Sequence, residues 1–136
     1  MGKIFCFKSP TLVMLPRKTK KDKTVYLNLN CYRNLSWSDN NNSKKLYKKI
    51  MQEQLDRCPT FSRPVTIKFK LIKNSKRKTD KHNFYSVIAK YLYDALTENG
   101  NWIDDNDDII KTEIIEETEY KKGKENLVLI TISEIY

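Results

Sequence analysis

Val65-Thr66-Ile67-Lys68-Phe69-Lys70-Leu71 is the stretch on which the fold turns. Its apolar residues stand at every second position, with Thr66, Lys68 and Lys70 between them. A period of two sets the apolar side chains on one face and the polar ones on the other, which predicts a half-buried β-strand. After Leu71 the period changes. Residues 74–81 form a basic loop, and residues 83–98 carry apolar side chains at helical spacing, closed by the stop signal Asn99-Gly100. Residues 109–118 and 126–134 read as two further strands joined by the turn Lys121-Lys122-Gly123-Lys124. Upstream, Val25, Leu27 and Leu29 alternate with Tyr26 and Asn28, so residues 24–30 read as a strand. The segment 31–42 is polar and irregular, with Arg33, Asn34 and Trp37 its distinctive members. Ser43 suits the N-cap of a helix running to about residue 57, with Leu46, Ile50 and Leu55 inside and Lys44, Lys45, Lys48 and Lys49 outside. The order strand, helix, strand, helix, strand, strand predicts a small α/β domain over residues 1–136, a mixed sheet with two main helices.

Composition narrows the class. A chain of 136 residues, 39% hydrophobic and 32% charged, supports one domain with a modest core and a large solvated surface. Cys6, Cys31 and Cys58 are odd in number and form no Cys-x-x-Cys pair, which argues against a disulfide framework or structural zinc and for a reducing compartment. The apolar start is broken by Lys3, Lys8 and Pro10 and lacks a signal peptide's pattern. No apolar run approaches the roughly 20 residues of a membrane span, so the expectation is a cytoplasmic protein with no membrane partner. With three glycines there is no Gly-rich phosphate loop or dinucleotide fingerprint.

The charge is unevenly spread. From Asp94 to Glu119 there are ten acidic residues against the single base Lys111, a charge of −9 inside a chain of +9, so the remainder carries +18. A basic body suits a polyanion, nucleic acid above all. The acid is densest at Trp102-Ile103-Asp104-Asp105-Asn106-Asp107-Asp108. Carboxylates gathered there repel phosphate unless a divalent cation sits between them, as in a metal-dependent nuclease. The plain alternative is an acidic surface loop that balances charge.

Turning about 100° per residue, Asn83, Lys90 and Asp94 fall on one edge of the second helix, beside Val87, while Phe84, Ile88, Tyr91, Leu92 and Ala95 face inward. Such a polar stripe can line a cleft. Lys90 is spaced either to pair with Asp94 one turn on or to stabilise charge developing on a phosphate. Asp80 precedes the helix, where an anion is favoured with or without a metal. His82, the one histidine, is a candidate general base or a surface residue with no role. Trp102 reads as core beneath the acidic segment.

These motifs, in this order, resemble the RusA family of Holliday-junction resolvases. The family pattern has a basic stretch, Asp-x-Asp-Asn opening a helix, a lysine four residues before Asp-Ala-Leu, and Gly-x-Trp-hydrophobic-Asp-Asp. Here the counterparts are Lys76-Arg77-Lys78-Thr79-Asp80-Lys81-His82-Asn83, then Lys90 with Asp94-Ala95-Leu96, then Gly100-Asn101-Trp102-Ile103-Asp104-Asp105. Leu29-Asn30-Cys31-Tyr32-Arg33-Asn34 is similar to the family's Asn-x-Tyr-Arg-Asn start. The likeness covers roughly residues 27–133.

The resemblance implies a metal-dependent endodeoxyribonuclease that resolves four-way DNA junctions as a two-fold homodimer, since symmetric cleavage requires two active sites. It implies Asp80 and Asp105 as ligands of Mg²⁺, with Asp104 in support, and Lys90 at the transition state. Asn83, Arg33, Lys73, Lys76, Arg77, Lys78, Lys121, Lys122 and Lys124 would contact DNA, largely through phosphates. Two departures stand out. The interval from Asn83 to Lys90 is about one helical turn longer than in the family. His82 replaces the second aspartate, and imidazole suits Mn²⁺ better than Mg²⁺. Either the metal preference is altered, or Asp107 or Asp108 substitutes, or the chain is a catalytically weakened DNA-binding relative.

Overall fold

A computed structural model describes residues 2–77 and 81–135, with residue 82 described through its backbone alone. The elements are β1 (Ile4–Pro10), β2 (Leu12–Leu15), β3 (Lys23–Tyr26), α1 (Leu29–Arg33), α2 (Trp37–Arg57), β4 (Val65–Lys73), α3 (Lys81–Asn99), β5 (Ile110–Ile115), β6 (Glu119–Tyr120) and β7 (Leu127–Glu134). The fold is α/β: one mixed sheet, two long helices, and a separate β2–β3 ribbon.

β4 organises the sheet. It pairs antiparallel with β7 on one side and parallel with β5 and β6 on the other, while β7 also pairs antiparallel with β1. Register follows the alternation: Phe7 lies opposite Ile130, and Ile130 opposite Phe69, all three fully buried. The intervening Cys6, Lys8 and Lys68 are exposed, so one face packs on helices and the other meets water. Phe69 packs on the rings of Tyr85 and Tyr93 from α3. Gln54 of α2 bonds both backbone groups of Lys8, at 2.7 and 2.9 Å, and Tyr47 meets Ser9 at 2.8 Å, which lays α2 along β1. At the sheet's other end, Glu134 accepts hydrogen bonds from the backbone of Lys3 (2.9 Å), Ser62 (3.1 Å) and Arg63 (3.3 Å).

Several expectations need correcting. The strand expected over 24–30 stops at Tyr26, because Asn28 turns to cap α1 and accepts from Cys31 N at 2.8 Å. The irregular segment 31–42 instead holds α1 and the first turns of α2. The α2 N-cap is Ser36, whose Oγ accepts from Asp39 N at 3.0 Å, and Ser43 is buried inside the helix. The buried face of α2 is Ser43, Tyr47, Met51 and Leu55, four residues one turn apart, and Ile50 is exposed. β5 and β7 do not form a hairpin. β4 lies between them, because α3 returns the chain to the far side of β4, where only a parallel partner fits. β1 and β2 were not expected at all.

Candidate metal and nucleic-acid sites at opposite ends of the sheet

The acidic segment is launched by a tightly tied corner. Gly100, with φ of 81°, ends α3 in the left-handed region that favours glycine. Asn101 is buried, and its amide donates to the carbonyls of Leu55 (3.2 Å) and Cys58 (3.1 Å), stitching the end of α2 to this corner. Trp102 is core, as expected: its Nε1 donates to Thr97 Oγ1 at 2.8 Å and its ring meets Tyr93 edge-on at 5.4 Å. The chain then leaves the core, and residues 103–108 are exposed.

Within that segment Asp104 shapes the turn. Its Oδ1 accepts from Asp105 N at 2.8 Å and its Oδ2 from the Asn106 amide at 3.4 Å, while Asn106 in turn accepts from Asp108 N at 2.9 Å. Asp105 is held above the usual carboxylate range, first by partial desolvation, then by the shared hydrogen bond with Asp104 and by the charges of Asp104 and Asp94. Asp94, Asp104 and Asp105 therefore share one electrostatic neighbourhood. Beside them Tyr93 donates to Glu113 at 2.5 Å, and burial together with that carboxylate pushes its hydroxyl's pKa up.

The stripe on α3 is present: Asn83 and Asp94 are half-buried at its border and Lys90 is exposed. The partner of Asp94 is not Lys90 but Lys44 of α2, at 2.5 Å, and Lys48 pairs with Glu98 one turn further at 3.1 Å. Helix rise separates Asn83 from Asp94 by about 16 Å. The opening turn of α3 and Asp105 thus lie apart within one chain, against the expectation that they converge. Asp80 and Lys78 lie outside the described residues, as does the side chain of His82. Asp107 and Asp108 are exposed and bring no third carboxylate to Asp105: among the described residues no group of three or more His, Cys, Asp or Glu is placed to hold a metal ion.

The basic candidates gather at the other end of β4, about 26 Å along a nine-residue strand. Lys121 N donates to Lys73 O at 2.8 Å, the Lys73 ammonium bonds Arg77 O, and Lys76 sits 5.4 Å from the centre of the Tyr120 ring. Lys81 joins them through Glu116 O at 3.1 Å. Lys122 and Lys124 are exposed on the turn between β6 and β7, which spans the end of β4 rather than a hairpin tip. Arg33 stands apart on α1. Lys81 falls at the end of the basic loop that the sequence marks for phosphate contact. Sequence reasoning missed Lys44 as the cation on Asp94, for which the only signal was two lysines one turn apart on α2 and two acids one turn apart on α3.

Asp105 offers hard oxygen donors under like-charge crowding, which fits Mg²⁺ bound by one or two carboxylates with the rest of its shell from water and phosphate. Asp104 has both oxygens engaged by its own turn and suits support better than direct ligation. No helix among the described residues is long and apolar enough to cross a membrane. No protein-family model matches the chain, and no curated protein matches it.

Proposed function

We propose that this protein is a divalent-metal-dependent, structure-selective endodeoxyribonuclease that cleaves four-way DNA junctions in the cytoplasm, acting as a homodimer. The observation that supports this best is the exposed pair Asp104 and Asp105, crowded by like charge on a chain that otherwise carries a large positive charge. Lys73, Lys76, Arg77, Lys121, Lys122 and Lys124 bind phosphates of a junction arm and set its position without reading sequence. Asp105 holds the cation with Asp104 in support, the rest of its shell coming from water and phosphate. When bound, the ion supplies an activated water and neutralises charge at the scissile phosphate. Lys90, one turn before Asp94, places a cation beside that phosphate.

A second reading has its own support: a catalytically weakened junction-binding relative. The distance between Asp105 and the start of α3, together with His82 in place of an aspartate, favours it.

One experiment separates the two. Labelled four-way junction and its linear duplex are incubated with the protein in Mg²⁺, in Mn²⁺ and in EDTA, alongside Asp105→Asn. The expected result is paired nicks confined to the junction, absent in EDTA, and slowed at least about a hundredfold by the substitution, the scale of losing one active-site electrostatic group. Tight junction binding with no cleavage in either metal would establish the weakened relative. No preference for the junction would overturn both.

A further inference from the structure

Trp37 opens α2 and is 81% exposed, while the other tryptophan, Trp102, is 2% exposed. The indole adds nothing to the core. The first turn of α2 around it is built by other residues: Ser36 caps it, and Asp39 is held by Lys23 at 2.8 Å and Arg17 at 3.9 Å. Those two ion pairs hold Arg17 and Lys23 on the other side of that turn, about 160° around the helix from Trp37. Arg33, exposed at the end of α1, precedes it in the chain.

From Trp37, Asn41, Lys44 and Lys48 follow within about 40° of its direction around the helix. The stripe runs into a groove of about 300 Å³ between α2 and α3, lined by Asn41, Lys44, Lys45, Lys48, Tyr91 and Asp94 among others. Lys44 lies about 10 Å along the axis from Trp37, a distance that roughly three stacked nucleotides span. Lys44 and Lys48 neutralise Asp94 and Glu98, and Lys45 is left exposed on the rim. A flat aromatic ring in water, on a stripe leading into a polar groove with Lys45 exposed on its rim, is an arrangement that can hold unpaired nucleic acid: the ring takes a base and the lysine the backbone. A duplex hides its base faces and has little to offer the indole.

We propose that Trp37 is a stacking platform for an unpaired base of single-stranded DNA, whose backbone then follows α2 toward Asp94. The proposal rests on the nucleic-acid-binding half of the reading above and not on cleavage.

The test follows tryptophan emission of the full chain in EDTA, titrated with an oligothymidylate, with a duplex of equal length, and with anionic phospholipid vesicles. Single strand is expected to quench the exposed tryptophan and leave buried Trp102 emitting as a baseline. Trp37→Ala should weaken single-strand binding about tenfold or more and leave duplex binding unchanged, whereas Trp37→Phe should retain most of it. Equal quenching by duplex, single-strand affinity unmoved by Trp37→Ala, or a blue shift with vesicles alone would each overturn the proposal. Because cleavage plays no part, a chain that cuts no junction yet loses single-strand affinity in Trp37→Ala would fail the nuclease reading and keep this one.

Discussion

Asp105 carries its charge against its surroundings. Its folded pKa lies above the ordinary value of 3.8 because of partial desolvation and the neighbouring Asp104 and Asp94. An acid with a raised pKa binds its proton more tightly in the folded state, so stability falls as pH rises from the unfolded value through the folded one and stays lower above it. Asp105→Asn is therefore expected to raise the urea midpoint at neutral pH, with the gain vanishing as pH drops below about 4, where aspartates protonate in both states. Urea titrations of both proteins at neutral and acid pH measure this, and equal midpoints at neutral pH would show that Asp105 is not crowded. A variant that folds better and cuts worse would mark a residue kept for its chemistry. At this scale the sequence was informative: Asp104 and Asp105 stood out as a pair, and the structure divides their roles through the hydrogen bonds of a single turn. The partner of Asp94 was not legible, because it comes from another helix.

Two serines of α2 show how an element is specified. Ser36 caps the helix, while Ser43 Oγ, fully buried, has no hydrogen-bond partner among the described residues. The same substitution should act with opposite sign at the two sites. Ser36→Ala is expected to cost about 1 kcal/mol by removing the cap. Ser43→Ala should stabilise by about 1 kcal/mol by removing an unpaired buried hydroxyl. Thermal or urea unfolding of both variants decides it, and a destabilising Ser43→Ala would mean that the hydroxyl has a partner. The reverse assignment was natural from sequence, since residues 38–42 are polar and show no apolar period, while Ser43 stands just before one. Elements with a strong internal period, β4, α3 and β7, were legible for the same reason. β1 was not, because it is a short edge strand broken by lysine and ended by Pro10. The pairing of β5 was missed because strand partners are set by where a crossover helix returns the chain, which no local pattern records.

Across the whole molecule, the DNA-contact candidates cluster beyond Lys73 and the densest acid lies before Ile110, with Glu119 at the basic end paired to Lys70 and Lys121. DNA affinity should accordingly fall linearly with salt on logarithmic axes, each phosphate contact contributing a slope of about 0.9. Replacing Lys76 and Lys121 together by glutamine should lower that slope by about 2 while leaving sequence preference untouched. Fluorescence anisotropy over a salt series measures it, and an unchanged slope would move the contacts to another face. The sheet has one more property, set by its first and last strands. β1 and β7 are neighbours, with Ile4 opposite Ser133, and Glu134 clasps the backbone at Lys3. The first and last strands of the described stretch thus bring Lys3 and Glu134 side by side. A short link between residues 2 and 135 should permit a circular permutant of that stretch opened at the exposed turn after Tyr120, with every strand keeping its place.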